Sequence, residues 1–254
     1  MQIFWTWPQK SQLPKRQTNH AILKNGLLES QMPFLSYMIR GSGRSHPPTC
    51  PEWDYEEYPG HGACVSLKIA EILKSLRSNT LCNLSTATDS RSAHFRMFCT
   101  LTPLGCEYFA GNYRGDTYPC LEFYGVKIES DSRVGCPPHT NLLAMNLLKA
   151  EIHRTIAALD EIWTSLIDHP VKILQTVAAA CQIFKVFLTI HPYANGNGHA
   201  GRLILWSLLG RYNLWPVNWA VDPRPPEPTY TNAIKAHRDG DPRALIQFVL
   251  NNLH

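Results

Sequence analysis

The 254-residue chain is 44% hydrophobic and 17% charged, enough apolar material for one sizeable core with a small appendage, and this composition excludes disorder throughout. Its net charge of +4 comes from scattered Lys and Arg residues, with only Lys15-Arg16 adjacent near the start, so the basic stripe used for nucleic acid is missing and no nucleic-acid partner is expected. No run approaches eighteen apolar residues, and Met1 to Pro8 lacks the basic-then-apolar order of an export leader, so neither membrane insertion nor Sec-type export is expected.

Residues 1–60 read as an irregular N-terminal extension, punctuated by Pro8, Pro14, Pro33, Pro47, Pro48, Pro51 and Pro59. Trp5, Trp7, Phe34, Tyr37, Trp53 and Tyr55 argue against a disordered tail, which leaves an arm packed on the main domain or a partner surface. The main domain is placed at 61–254. Its first helix is predicted over 64–77, where Val65, Leu67, Ile69, Ile72, Leu73 and Leu76 recur. The cysteines at 50, 64, 82, 99, 106, 120, 136 and 181 form no Cys-x-x-Cys pair and no zinc spacing. Apolar settings such as Ala180-Cys181-Gln182 suit free thiols. A reducing, cytoplasmic location follows, with delivery by a specialised secretion system left open.

Between Tyr118 and Pro138 the helical pattern lapses, and Val126-Lys-Ile-Glu129 alternates apolar with polar beside Gly125. A short β-hairpin is predicted over Gly125–Val134. Farther on, Leu174, Val177, Cys181, Phe184 and Leu188 recur at helical spacing, and Leu203 to Leu209 is apolar on nearly every side, so two buried helices flank the stretch His191-Pro-Tyr-Ala-Asn-Gly-Asn-Gly-His-Ala-Gly-Arg202. The turn between them opens a helix. Unpaired N–H groups and the positive end of the peptide dipoles at such a start favour a bound anion. Gly196 and Gly198 permit close approach, Asn195 and Asn197 add donors, and Arg202, one turn on, offers a planar fork for phosphate. Considered alone, the Asn/Gly turn is equally a plain helix connection with His191 as a core histidine.

The stretch resembles the signature of the Fic family, His-Pro-Phe-x-(Asp/Glu)-Gly-Asn-Gly-Arg-x-x-Arg. His191, Pro192, Gly196, Asn197, Gly198 and Arg202 match in register, and Tyr193 stands for Phe. Phe109-Ala-Gly-Asn-Tyr-Arg114 is similar to the family's Trp-Ala-Gly-x-x-Arg, and Tyr230 to Phe248 to its closing helices, so the likeness spans roughly 61–254. The resemblance implies a mainly α fold, a Fic-type helical bundle with a short β-hairpin flap. It implies transfer of a nucleoside monophosphate, AMP from ATP, onto a Ser, Thr or Tyr hydroxyl of a target protein. His191 would be the base, Asn197 and Arg202 would complete the catalytic set, and Asn195, Gly196, Gly198, His199 and Tyr230 would join them around nucleotide and phosphate. The flap, Gly125, Val126, Lys127 and Ile128, would align the target by strand addition.

Two positions depart from the pattern. Asn195 replaces an acid that helps hold Mg²⁺, so metal binding through it would be weakened. His199 replaces an arginine and forfeits about 1.5–3 kcal/mol, the scale of one charged hydrogen bond. A bound polyphosphate is expected to draw a proton onto His199. No glutamate is followed by Gly or Asn, so the family's inhibitory motif is missing and inhibition is left to a separate partner. The competing readings are a catalytically impaired nucleotide-binding module, and a variant that transfers or removes another phosphate-containing group. A zinc pair from His191 and His199 fits poorly, since eight residues across a turn are not an i, i+4 pair.

Overall fold

The computed structural model describes residues 50–253 apart from 127, 129, 130, 218, 220 and 226. The chain divides into units 1–33 and 34–254, and every described residue belongs to the second. The described residues are mainly α, with helices α1 (His61–Arg77), α2 (Asn83–Thr88), α3 (Arg91–Phe98), α4 (Pro138–Thr164), α5 (His169–Ile190), α6 (Asn197–Arg211), α7 (Thr229–Arg238) and α8 (Arg243–Leu250). The predicted first helix starts at His61. Its buried stripe is Val65, Ile69, Ile72 and Leu76, while Leu67 faces solvent.

Helix α6 is the centre of the fold. It packs against α1, α2 and α5, and buries all of Ala200 to Leu209, which is why its sequence lacks a polar face. Helix α5 packs in turn on α4, α6, α7 and α8. By length and a mean hydropathy of 1.7, α5 would suffice to cross a membrane, but 61% of that window is buried inside the protein. Val177, Cys181, Phe184, Phe187 and Ile190 are inaccessible to solvent, each large side chain contributing about 1.5–3 kcal/mol.

Residues 50–60, placed by the sequence in an appended arm, supply part of this core. Trp53 lies edge-on to His94 and Phe98 and donates its indole N–H to the Leu101 carbonyl at 2.7 Å. Tyr55 is equally buried against Phe98. The reading of 1–49 as an irregular arm lies outside the described residues. Against the expectation of a reducing location, Cys50 and Cys120 form a disulfide with their Cα atoms 5.6 Å apart, while the other six cysteines are free. Seventy residues separate the pair, so only the fold brings them together. Disulfides persist in oxidising compartments, and the cytoplasmic expectation loses the support it drew from free thiols.

The hairpin expected over 125–134 is not paired as strands among the described residues, and Lys127 lies outside them. The Asp131 N–H donates to the Ile128 carbonyl and the Val134 N–H to the Asp131 carbonyl, which turns the chain. The return arm then bonds elsewhere. Gly135 and Cys136 donate to the Thr189 and Ile190 carbonyls at the end of α5, while Asp131 pairs with Arg238 and Arg133 with Asp239 at the end of α7.

Candidate active site

The stretch between α5 and α6 borders a cavity of about 520 Å³, a volume suited to a nucleotide-sized ligand. His191 caps α5 in the left-handed region, φ 54°, with its N–H on the Phe187 carbonyl at 2.9 Å, and Pro192 stops the helix. The last carbonyls of α5 find their donors in Arg114. This side chain is fully buried, and its guanidinium donates to the carbonyls of His191 (2.9 and 2.6 Å), Ile190 (3.3 Å), Tyr124 (3.1 Å) and Cys136 (3.1 Å). The negative end of α5 thus compensates a buried cation in place of a carboxylate. Burial lowers the Arg114 pKa to about 10, which still leaves it charged at neutral pH.

The loop is clamped from the other side as well. Asn197 accepts from the Tyr193 N–H and donates to the Tyr193 carbonyl, at 2.8 and 2.9 Å. The Tyr193 ring stacks on His94 with centroids 3.7 Å apart, and its hydroxyl meets Ser90 at 2.8 Å. His94 Nδ1 accepts from the Gly111 N–H, so its Nε2–H donates to the Asn195 carbonyl at 3.0 Å. Burial depresses the His94 pKa to about 3 and keeps the ring neutral. Gly196 opens α6 at φ 73°, where a Cβ would fall 2.5 Å from Phe98 and 2.9 Å from His94. Glycine is required there for core packing as much as for anion approach.

Every expected phosphate-site residue borders the cavity, but several do different work from that expected. His191 has its pKa lowered to about 3, by burial first and the nearby Arg114 charge second, so it stands as a neutral proton acceptor. Helix α6 has no side-chain cap, which leaves its first-turn N–H groups available. Arg202 is buried with Nε on the Val221 carbonyl at 2.6 Å, and a Cβ on Gly198 would come within 3.2 Å of its Nη1. Tyr230 is packed edge-on to Trp219 and tilted against Phe248. It has no free face to stack on a base, and its buried hydroxyl lies beside Arg202, whose charge opposes the rise that burial gives its pKa.

The two departures from the signature are structural. Asn195 donates from Nδ2 to the Trp53 carbonyl at 3.0 Å and accepts the Gly196 N–H on Oδ1 at 2.7 Å, so the amide is locked toward the protein. The His199 ring is held at both nitrogens, by Asp222 on Nε2 at 3.1 Å and by the Tyr55 hydroxyl on Nδ1 at 3.3 Å. A carboxylate only accepts, so Nε2 carries a proton toward Asp222, while the Tyr55 hydroxyl beside Nδ1 also reaches the Glu56 carboxylate at 3.4 Å. Burial lowers the His199 pKa although Asp222 opposes it, and the expected protonation by a polyphosphate loses its free nitrogen. Asp222 also accepts from Ser66, and the hydrogen bond from His199 is the main cause of its lowered pKa.

These residues do not fit a resident Mg²⁺. The Asn195 oxygen is taken, turning the amide over would break the bond to Trp53, and both Asp222 oxygens are engaged. Among the described residues no three His, Cys, Asp or Glu side chains gather as a cation site. Of the flap residues, Ile128 lines the cavity with Val134, whereas Gly125 and Val126 do not.

His94, Asn141, Trp53, Tyr55 and Asp222 were not legible as site residues. Asn141 bridges the Arg114 and Pro192 carbonyls at 2.9 and 2.8 Å. Only Arg114 had a signal, the Ala-Gly-x-x-Arg spacing. The chain matches no known family model and no curated protein sequence.

Proposed function

We propose that the chain is a Fic-type transferase, a helical bundle that moves a nucleoside monophosphate onto a Ser, Thr or Tyr hydroxyl of a target protein. The observation that carries this reading is a neutral His191 on the same cavity as the uncapped start of α6 and the buried Arg202. An uncapped helix start alone is a weak sign, and the buried guanidinium on the same cavity adds a fixed positive charge to it. The target hydroxyl oxygen attacks the α-phosphorus, its bond to the leaving phosphate breaks, and the proton passes to the ring of His191. The α6 N–H groups and Arg202 meet the charge that develops. ATP is the donor the resemblance implies, and the segment from Gly125 to Val134 is the surface against which an extended target strand would lie.

Incubation of the purified protein with each labelled nucleoside triphosphate and a lysate, with Mg²⁺, Mn²⁺ or EDTA, yields a covalent adduct locatable by mass spectrometry. His191→Ala loses the adduct and keeps nucleotide affinity within a few-fold, because the base acts on the attacking hydroxyl. An equally active variant removes His191 from that role. A second reading, transfer or removal of a different phosphate-containing group, draws on the Asp222 carboxylate in the cavity and the locked Asn195.

A further inference from the structure

The cavity holds a carboxylate, Asp222, beside the first turn of α6. Asp222 comes from the segment before α7 and reaches His199, in the first turn of α6, at 3.1 Å. Its neighbour Val221 fixes Arg202 through the backbone, and the Arg202 charge helps to hold Asp222 ionised, so the cation that faces a phosphate is already shared with an acid. The remaining arginines on the cavity are also engaged, Arg224 by Glu227 and Arg238 by Asp131. What is left over for a ligand is the start of α6, worth about half a charge, together with part of Arg202. Triphosphate sites instead gather metal ions and several cations to neutralise the β- and γ-phosphates.

Resting on the transferase reading, we infer that the ligand enters this site as a diphosphate ester with no divalent cation, and that Asp222 rejects a triphosphate chain. The donor would then be a nucleoside diphosphate or similar ester, whose α-phosphoryl group passes to the target hydroxyl while the distal phosphate leaves. The α-phosphate matches the available donors. A third phosphate would bring like charge toward Asp222, and neither Asn195 nor His199 has a free group to offset it.

Calorimetric titration of the full chain with inorganic phosphate, pyrophosphate, tripolyphosphate, AMP and ATP, each in Mg²⁺ and in EDTA, tests this without reference to activity. The parent binds tripolyphosphate no more tightly than phosphate and ATP no more tightly than AMP, with magnesium changing each by less than about twofold. Asp222→Asn keeps an acceptor for His199, leaves the Ser66 hydroxyl to turn and accept from the new amide, and removes the charge; it tightens tripolyphosphate by about tenfold with much less effect on phosphate. Should that variant not fold, the parent series decides alone. Tight, magnesium-dependent tripolyphosphate binding that the variant loses would make Asp222 a cation ligand and overturn the inference. So would an unchanged preference between the two proteins, or no phosphate binding by the parent. Discrimination among the inorganic anions without binding of AMP or ATP would sustain the inference and sink the nucleotide part of the transferase reading.

Discussion

The resemblance alone makes Asn195→Asp a gain, by restoring the acid of the signature; the structure makes it a loss. The substitution replaces the Nδ2 donor with a carboxylate oxygen, so the bond to the Trp53 carbonyl at 3.0 Å becomes a contact between two acceptors. Stripping a buried carbonyl of its donor costs about 1–3 kcal/mol. A negative charge one residue before the Gly196 cap regains about 0.3–1 kcal/mol from the dipole of α6. The net is a loss of about 1–2 kcal/mol, or a Tm lower by roughly 2–8 °C for a domain of this size. The pH dependence fixes the cause. A carboxyl facing a carbonyl binds its proton more tightly folded than unfolded, so its folded pKa lies above the free value of about 3.9. Such a group contributes stability below the unfolded pKa and loses it as pH rises through the folded one. The deficit is therefore full at pH 7 and shrinks as pH falls toward about 4, where the protonated oxygen can donate to Trp53. Thermal unfolding of parent and variant across this range, with and without Mg²⁺, is the assay. A variant as stable as the parent at pH 7, or one whose Tm rises by several degrees with Mg²⁺, would refute the locked amide and return the side chain to the cavity.

Arg114→Lys replaces a fork that reaches four carbonyl groups with a single ammonium; more than one charged hydrogen bond is lost, at about 1.5–3 kcal/mol each, and urea denaturation should show a deficit of about 3 kcal/mol or more. A variant within about 1 kcal/mol of the parent would mean that the carbonyl cage is not what holds the loop. Reducing the Cys50–Cys120 bond, or Cys50→Ser, releases a loop of 70 residues and lowers stability by about 4 kcal/mol on the chain-entropy estimate; an unchanged Tm with reductant would show the bond to be unformed in solution. His94 and His191 both have folded pKa values of about 3, below the free histidine value of about 6.5. Groups depressed in this way contribute stability above the unfolded pKa that is lost as pH falls, so unfolding free energy should decline from about pH 6.5 toward 3, beginning above the carboxylate range. A profile flat down to pH 5 would contradict the lowered pKa of both rings.

Periodicity determined much of this protein before any coordinates. The buried α5 and α6 and the break between them follow from spacing that a helix must satisfy to bury one face, while the helical close after Tyr230 came from the resemblance. The signature likewise gave the residues around the cavity, because a turn that opens a helix needs glycine and leaves N–H groups free wherever it occurs. Orientation was another matter. Asn195 and His199 have the same local sequence whether they face a phosphate or the protein, and the decision was made by Trp53, 142 residues away, and by Tyr55 and Asp222, which come from opposite ends of the domain. The segment 125–134 carries a strand-like alternation, yet its Asp131 and Arg133 pair with the charges at the end of α7, and Gly135 and Cys136 just beyond it bond the carbonyls at the end of α5. Hydrogen-bond partners distant in sequence leave no period to read, so the sequence determined the cavity groups that lie between α5 and α6, and only the packing of 50–60, α3 and the segment before α7 around α6 added Tyr55 and Asp222 and decided which groups remain free to act.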